Sequence, residues 1–372
     1  MNGLPSSFLI DRRSLTRFDW VLFSISLLIA TLGVLNIYSA GSSGDIASSL
    51  YKKQICWLLI GIFLLFLGAF IKPAYLERYG YIFYATSLFL LILVLFQGRA
   101  VSGSQRWIRL WGFNVQPSEI VKVSLLLVLA KWFHRKSYPK GYGLISLFIP
   151  FVFVLIPFLL IFLQPDLGTA LMLLVLFFSI ALLVKVRLSL LLFLFFFSLG
   201  VLPFSWNLLK DYQKERVVGF LNPHVDPLGK GYQVIQSKIA IGSGKLFGKG
   251  FLKGTQTQLD FVPEKYTDFV FSVFCEEWGF LGAMVLLFLY CLLFVRFLSI
   301  ASNARNSFGM ILGYGITALF FWQFLINLGM VLGLLPTVGI TLPLFSYGGS
   351  SLAISLFSIG ILINIHIQRH IF

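Results

Sequence analysis

The chain has 372 residues, of which 58% are hydrophobic and 12% are charged, and its mean hydropathy is +0.90. A water-soluble domain of this size could not expose that composition without aggregating, so we predict a polytopic membrane protein. The formal net charge of +15 would suit a nucleic-acid partner in a soluble protein. Here basic loops beside membrane spans account for much of that charge, and we expect no nucleic acid to bind.

The chain begins with a basic segment, residues 1–18, which lacks the apolar core and the small-residue cleavage site of a signal peptide. We expect it to remain as a cytoplasmic N-terminal segment. Ten apolar runs follow, each long enough to cross about 30 Å of hydrocarbon. They lie near residues 19–40, 54–71, 76–97, 116–133, 143–163, 168–184, 188–207, 269–295, 309–332 and 345–366. The predicted fold class is therefore an all-α polytopic membrane protein, with ten transmembrane helices in a single membrane domain spanning 1–372.

The distribution of Lys and Arg predicts the orientation of these spans. Lys72, Arg135 and Arg296 are among the basic residues that fill the short loops on one side. Because short cytoplasmic loops carry such an excess, we place this side and both termini in the cytoplasm. A large polar loop between helices 7 and 8, residues 208–268, then lies on the extracytoplasmic face. Ordered loops of this length usually carry function.

Four segments that are polar or rich in glycine and proline share this extracytoplasmic face. They are Ser104–Trp107, Gln164–Thr169, 208–268 and Leu335–Ser350. We predict that they form one shared external site. Their basic residues would attract an anionic substrate such as a phosphate-bearing lipid, although general attraction to anionic phospholipid is an open alternative.

The sequence offers no pattern for zinc, disulfide or nucleotide binding. Cys56, Cys275, Cys291 and the four histidines lack the spacing of zinc ligands, so we predict neither a zinc site nor a disulfide. The glycines between Gly242 and Gly250 miss the spacing of both nucleotide fingerprints and lie on the extracytoplasmic face. We therefore expect no nucleotide cofactor.

Two charged residues, Glu119 and Lys122, lie inside a predicted span. A charge at membrane depth costs at least a few kcal/mol and normally faces a partner or a wet cavity. Their spacing of three places both on one face of the helix that follows Pro117. The pair could simply neutralise itself, or Lys122 could contact a substrate phosphate, and the sequence leaves both alternatives open.

Two aspartates stand at the external ends of predicted spans. Asp166 lies between Pro165 and Gly168, and we predict a structural role as an N-cap or in an Asx-turn. Asp268 stands where the next span begins, and taken alone it too would be assigned as a cap. Its place after a basic loop at the membrane surface favours a second role, in which the carboxylate takes a proton from a sugar hydroxyl as a general base.

A helix is predicted inside the large loop. Tyr232, Ile235 and Ile239 share one side of it, while Gln236 and Ser237 share another. This pattern predicts an amphipathic helix that lies along the membrane surface and helps to wall a groove.

Several motifs, spread over most of the chain, form a combination far more specific than any one of them. They are Gly103-Ser-Gln-Arg-Trp-Ile108, Gln116-Pro-Ser-Glu-Ile-Val-Lys122, Gln164-Pro-Asp-Leu-Gly-Thr-Ala-Leu171, Phe220-Leu-Asn-Pro223, Asp226-Pro-Leu-Gly-Lys-Gly-Tyr-Gln-Val-Ile-Gln-Ser237, Pro263-Glu-Lys-Tyr-Thr-Asp-Phe269 and Pro343-Leu-Phe-Ser-Tyr-Gly-Gly-Ser350. Together they resemble the SEDS family (shape, elongation, division and sporulation), and most closely its elongation members. Two departures are Lys245, where the family often has glycine, and Lys265-Tyr266, where a histidine usually precedes Thr-Asp. Neither removes a proposed catalytic group.

The resemblance implies a peptidoglycan glycosyltransferase that polymerises lipid II at the outer face of the cytoplasmic (inner) membrane during cell elongation and shape maintenance. Its implied partners are lipid II and undecaprenyl lipid, a class B penicillin-binding protein that crosslinks the product, and other membrane proteins of the elongation complex. Asp268 matches the family's essential carboxylate. It would activate the 4-hydroxyl of the acceptor GlcNAc for attack on the donor MurNAc, with inversion and expulsion of undecaprenyl pyrophosphate.

The predicted site extends beyond Asp268. Lys122, Arg106, Arg216 and Lys238 are predicted to stabilise the leaving pyrophosphate, alone or with a divalent cation such as Mg²⁺ or Mn²⁺. The other predicted substrate-binding residues are Glu119, Trp107, Gln236, Ser237, Ser346, Gly348 and Gly349. Asp166, Pro165 and Gly168 are predicted to be structural.

Two other classes of function compete with the polymerase. A flippase for lipid-linked precursors would also have many spans, but it should carry polar groups along a path through the bilayer. The interior charges here are few and lie near the external ends of the spans, which favours chemistry at one face. A non-catalytic scaffold of the elongation machinery would not need intact external motifs. A channel function is supported even less, because Thr337-Val-Gly-Ile340 lacks the aromatic-glycine continuation of a selectivity filter.

Overall fold

The structure is a computed structural model that describes residues 16–41, 45–97, 99–101, 104–110, 113–136, 141–184 and 230–369, together with isolated positions between 186 and 214. The predicted span 188–207 lies largely outside the described residues. Arg216 and the loop residues 215–229 lie outside them as well, so the predicted role of Arg216 is not addressed by the structure.

The described residues are mostly helical. The helices are α1 (Trp20–Ala40), α2 (Asp45–Phe70), α3 (Pro73–Gln97), α4 (Pro117–Arg135), α5 (Leu144–Leu163), α6 (Leu167–Leu183), α7 (Lys230–Ser243), α8 (Thr255–Gln258), α9 (Val270–Ser302), α10 (Ser307–Val331) and α11 (Gly349–Gln368). Within the described ranges, nine of them coincide with nine of the ten predicted spans. Seven of these, α1, α2, α3, α5, α9, α10 and α11, have the length and apolar composition needed to cross a membrane. The chain is a multi-pass membrane protein.

Helix α4 lies at the centre of the bundle, where it packs against α3, α5, α10 and α11. Between Val121 and Phe133 every side chain is buried, including those of Lys122 and Lys131. A helix that is buried on all sides by its neighbours does not face lipid. Glu119, Lys122 and Lys131 therefore lie inside the protein, which is where ionisable groups at membrane depth are tolerated.

A small antiparallel sheet connects α3 to α4 and departs from the predicted all-α fold. Its strands are β1 (Arg99–Val101), β2 (Ser104–Leu110) and β3 (Phe113–Val115), in the order β1-β2-β3, with Ile108 opposite Val115. The segment is too polar to continue a span, and Trp107 and Ile108 are residue types that favour strands. The sheet places Arg106 beside the turn between α5 and α6.

Helix α9 changes direction at Gly279, whose φ of 65° lies in the left-handed region. The break frees two backbone N–H groups, and those of Phe280 and Leu281 donate to the carbonyl oxygens of Lys245 and Leu246 at 2.9 and 3.1 Å. The backbone of the turn after α7 is thereby hydrogen-bonded to the first third of α9. This contact fixes the part of the large loop that follows α7 against the bundle.

Candidate functional site

Asp268 lies in a turn, residues 263–269, that leads directly into α9. Its side chain is partly exposed, whereas Phe269 and the following eight residues are buried. The N-cap position of α9 is Phe269. Asp268 therefore does not occupy the capping position to which the sequence alone would have assigned it.

Three consecutive backbone carbonyls hold this turn against the C-terminal part of the bundle. The amide of Asn327 on α10 donates to Asp268 O at 2.9 Å, and the hydroxyl of Ser346 donates to Thr267 O at 2.6 Å. The backbone N–H of Tyr347 donates to Tyr266 O at 2.8 Å. The main chain of Asp268 is thus fixed by contacts with several elements, which fixes the point from which its side chain extends.

The segment that contributes Ser346 also runs beside the carboxylate. A Cβ atom built on Gly339 would lie 3.8 Å from Asp268 Oδ2. Asn327 donates a second hydrogen bond, at 2.8 Å, to the carbonyl of neighbouring Ile340. Two of the four segments predicted to share a site, 208–268 and Leu335–Ser350, therefore meet at Asp268.

The hinge between α5 and α6 joins the same region. A Cβ atom on Gly168 would lie 2.4 Å from the carbonyl oxygen of Val338, so the close approach of these two backbones requires glycine. Asp166 is the N-cap of α6 and accepts from Thr169 N and Oγ1 at 3.1 and 3.0 Å. The hinge is thus held in place by a capped helix and by direct packing on the Leu335–Ser350 segment.

Arg106 connects the sheet to this hinge. Its guanidinium donates to the carbonyl oxygens of Gln164 and Pro165, and Nη1 lies 3.6 Å from Asp166 Oδ1. A fifth of the side chain remains exposed, so Arg106 can still contribute positive charge to a ligand. Its neighbour Trp107 is partly buried in the same strand.

Glu119 and Lys122 form a buried ion pair on α4. Lys122 Nζ lies 2.7 Å from Glu119 Oε1, and the two residues are 3% and 7% exposed. The start of α4 contacts the start of α11, since Gln116 N donates to Ser350 Oγ at 3.3 Å. Along α4, Glu119 lies about one helical turn from this contact and Lys122 nearly two turns from it.

The Gly348-Gly349 turn is shaped by α2. A Cβ atom on Gly349 would lie 2.0 Å from Trp57 Nε1, and the side-chain oxygen of buried Gln54 accepts from Gly348 N at 3.3 Å. The amide of Gln54 also donates to Ser346 O at 3.2 Å. The predicted residues Ser346, Gly348 and Gly349 thus share one tightly packed turn. Ser346 itself is buried and shapes the site through the backbone.

Helix α7 corrects one predicted contact. Ser237 was predicted to bind substrate, but its side chain is fully buried and donates to Val331 O at 2.8 Å. The buried face of α7 includes Val234, Ser237 and Ala240, and it packs on α9 and α10. The hydroxyl of Ser237 therefore links α7 to α10. Small side chains such as those of Ser237 and Ala240 on this face of α7 allow the helices to pack closely.

The neighbouring residues on α7 remain accessible. Gln236 is partly exposed and Lys238 is exposed. The ammonium of Lys238 lies over Gly333, where a Cβ atom would come within 2.7 Å of Nζ. Lys238 has no ion-pair partner among the described residues, and it extends over the beginning of the segment that reaches Asp268.

A buried carboxylate that the sequence analysis did not single out organises the loop. Glu276, fully buried on α9, accepts from Lys249 Nζ at 2.7 Å, from the N–H groups of Gln256 and Thr257 at 2.9 and 3.1 Å, and from Thr257 Oγ1 at 2.8 Å. It therefore caps α8 from another helix. An acidic residue in an apolar run is the signal that could have identified it.

Tyr266 lies in the turn of Asp268, Tyr347 is hydrogen-bonded to its backbone, and the phenols of both remain neutral at physiological pH. Burial raises the pKa of Tyr266, and the carboxylate of Asp260 raises it further. Burial likewise raises the pKa of Tyr347. The described residues contain no group of three or more His, Cys, Asp or Glu side chains that could hold a metal ion.

Comparison with known proteins gives a consistent result. A family model described as cell cycle protein, FtsW/RodA/SpoVE, matches residues 19–371. The peptidoglycan glycosyltransferase MrdB of Escherichia coli K12 is 40% identical over 352 residues, which cover 94% of each chain. The peptidoglycan glycosyltransferase RodA of Treponema pallidum is 33% identical over 433 aligned positions, covering 96% of this chain and 99% of that one.

Solved structures show the same similarity. A chain from a structure described as the structural coordination of polymerization and crosslinking by a peptidoglycan synthase complex superposes with a TM-score of 0.82 at 34% identity, covering 95% of this chain and 99% of that one. The rod shape determining protein RodA of Thermus thermophilus superposes with a TM-score of 0.70 at 32% identity, covering 95% and 98%.

Proposed function

This chain belongs to the FtsW/RodA/SpoVE family of cell cycle proteins, and from that premise we propose that it is a peptidoglycan glycosyltransferase that polymerises lipid II, with Asp268 as the general base. The family expected from the sequence motifs is confirmed. The observation that carries the role of Asp268 is its fixed main chain, since Asn327, Ser346 and Tyr347 hold three successive carbonyls and leave a partly exposed carboxylate beside Gly339.

The reaction needs one proton acceptor and stabilisation of one leaving group. The carboxylate of Asp268 takes the proton of the acceptor 4-hydroxyl while the oxygen of that hydroxyl attacks the anomeric carbon of the donor. The bond to undecaprenyl pyrophosphate breaks with inversion, and the proton ends on Asp268. A single base is sufficient for transfer to a hydroxyl acceptor.

Negative charge that develops on the pyrophosphate requires positive groups fixed in advance. Lys238 is exposed near Gly333, and Lys122 and Arg106 are held by carboxylate partners on two other elements of the site. These three residues are the proposed anion-binding groups. A divalent cation such as Mg²⁺ or Mn²⁺ remains a prediction, and because the described residues offer no ligand cluster for it, no step is assigned to it.

The competing flippase is less well supported by the arrangement of charges. Two of the buried carboxylates of the bundle are paired locally, Glu119 with Lys122 on the same helix and Glu276 with Lys249 of the large loop. A transport path would need polar groups distributed across the bilayer. The polar contacts described above instead cluster around one end of α4, α9, α10 and α11.

The cellular setting is part of the same proposal. The protein would work in the inner membrane with both termini in the cytoplasm and Asp268 on the extracytoplasmic side, as the positive-inside pattern predicts. A class B penicillin-binding protein would crosslink the strands that it makes. The similarity to a chain from a peptidoglycan synthase complex supports such a partnership.

Polymerisation of labelled lipid II by the purified protein, together with its class B partner, tests the proposal. Native protein should form glycan strands, and Asp268→Ala and Asp268→Asn should form none at equal folding and complex yield. Glu264→Gln is the matched control, because this exposed carboxylate lies in the same turn. Normal polymerisation by Asp268→Ala would remove the proposed base. Movement of lipid II between leaflets without polymerisation would favour the flippase.

A further inference from the structure

Lys265 is a buried cation three residues before Asp268. The residue is 4% exposed, and its ammonium donates to the carbonyl oxygen of Thr257 at 2.8 Å and to Asp260 Oδ1 at 2.5 Å. A long, flexible lysine side chain normally keeps its charge in water. Burial next to a backbone carbonyl and a carboxylate therefore indicates that the side chain joins two parts of the loop.

The two parts of the loop, α8 and the 263–269 turn, are held by different elements of the bundle. Thr257 belongs to α8, and both its N–H and its hydroxyl are bound by Glu276 of α9. Lys265 belongs to the 263–269 turn, whose carbonyls at Tyr266, Thr267 and Asp268 are bound by the C-terminal part of the bundle. The ammonium of Lys265 thus links an element anchored on α9 to the turn that carries Asp268.

The backbone around this link is strained. Asp260 and Glu264 have φ values of 58° and 49°, a left-handed conformation that residues with a side chain rarely adopt. Such conformations persist where surrounding contacts enforce them, and they cluster at functional sites. The contacts of Lys265 with Thr257 and Asp260 span the interval between the two strained residues.

From this geometry we infer that Lys265 is a positioning residue for Asp268. Its ammonium restrains the loop side of the turn, while Asn327 and Ser346 restrain the bundle side. The inference rests on the proposed function of Asp268 as the general base. Lys265 acts through the backbone, so it should affect turnover rather than the binding of lipid II.

The positioning role of Lys265 can be tested by steady-state polymerisation assays of the complex with the class B partner, with kcat and KM determined separately for each variant. Lys265→Met should lower kcat roughly 10- to 100-fold and leave KM for lipid II within about threefold, because a displacement of about 1 Å at a reacting group can cost 10²-fold. Lys265→Arg should recover most of the native kcat, since a guanidinium can also donate to both oxygens.

Two further variants serve as controls. Lys253→Met removes the same charge from an exposed position of the same loop, and it should leave kcat unchanged. Asp260→Asn keeps an acceptor oxygen and suits the left-handed conformation, so it should stay within about threefold of native protein. If Lys265→Met does not fold, Asp260→Lys replaces it, because it puts a like charge beside the ammonium at a position whose side chain is 74% exposed.

The outcomes distinguish a failure of the positioning role of Lys265 from a failure of the proposed polymerase function. If native protein polymerises and Lys265→Met keeps the native kcat, Lys265 has no positioning role and the proposed function stands. A rise in KM without a fall in kcat would also overturn the inference, because it would assign Lys265 to substrate binding. If native protein itself fails to polymerise with its partner, the proposed function fails and the inference falls with it.

Discussion

The hydroxyl of Ser346 donates to the carbonyl oxygen of Thr267 at 2.6 Å, and so fastens the turn before α11 to the residue that precedes Asp268. The hydroxyl oxygen of Ser346 in turn accepts from Leu342 N at 2.9 Å. One buried hydroxyl therefore satisfies a donor and an acceptor on two segments that are distant in sequence. The position of the candidate base therefore depends on Ser346, which the motif alone would assign to substrate binding.

Replacement of Ser346 by alanine should lower both stability and turnover. It leaves Leu342 N and Thr267 O without this partner, and an unsatisfied buried polar group costs about 1–3 kcal/mol. We expect a lower midpoint of thermal unfolding in detergent and a reduced kcat for lipid II polymerisation. Ser358→Ala is the control, because among the described residues its hydroxyl bonds only to Ile354 O within α11, at 2.8 Å. Equal activity of the two variants would argue against a role for Ser346 in placing Asp268.

The ion pair between Lys122 and Glu119 can be separated into structural and catalytic parts. Lys122→Met leaves a buried carboxylate unpaired and should destabilise the protein by about 3–5 kcal/mol. The double variant Glu119→Gln with Lys122→Met removes both charges, so its unfolding midpoint should return close to the native value. If Lys122 also stabilises the leaving pyrophosphate, polymerisation should remain low in the double variant. Recovery of activity together with stability would show that the pair only neutralises itself.

Most of the fold could be predicted from hydropathy, because apolar runs of span length have few alternative structures in a membrane. Nine predicted spans correspond to helices of the described residues, with ends that agree within about a turn except at α2 and α9. The sheet at residues 99–115 was missed, since short strands between spans carry no strong periodic signal. The kink at Gly279 was missed as well, because it depends on contacts with Lys245 and Leu246.

The candidate site was only partly predictable. The motifs predict Asp268 as the base, which stays a prediction, and loop chemistry indicates the neighbouring segments. The sequence gives no indication of which polar groups contact one another. Ser237 lies in a motif yet is buried against Val331, whereas Asn327 and Gln54 lie in apolar helices yet hold the site together. Those partners are determined by packing between helices that are far apart in the chain.

The network around Glu276 should determine the order of the large loop. Glu276→Gln replaces one acceptor oxygen by a donor, which would face Lys249 or the N–H groups of α8. We expect the free energy of unfolding to fall by about 3 kcal/mol. This is the lower end of the range for breaking a buried ion pair, because 25% of the Lys249 side chain is exposed. Limited proteolysis should then cleave the loop between Lys249 and Lys253 faster than in native protein. Glu264→Gln changes an exposed carboxylate and should leave cleavage at the native rate; equal rates in both variants would contradict this role of Glu276.

Two glycines of the same loop should respond in opposite ways to one added methyl group. At Gly248 the backbone has a φ of 79°, and a Cβ atom would lie 2.1 Å from the carbonyl oxygen of Glu277, so Gly248→Ala must displace the loop from α9. At Gly242, within α7, no atom lies within 4 Å of the added carbon, and alanine is favoured over glycine in a helix by about 1 kcal/mol. We therefore expect Gly248→Ala to lower the thermal midpoint and abolish polymerisation, while Gly242→Ala keeps activity and unfolds at the same or a higher temperature. A folded and active Gly248→Ala protein would mean that the turn does not need to lie against Gly279.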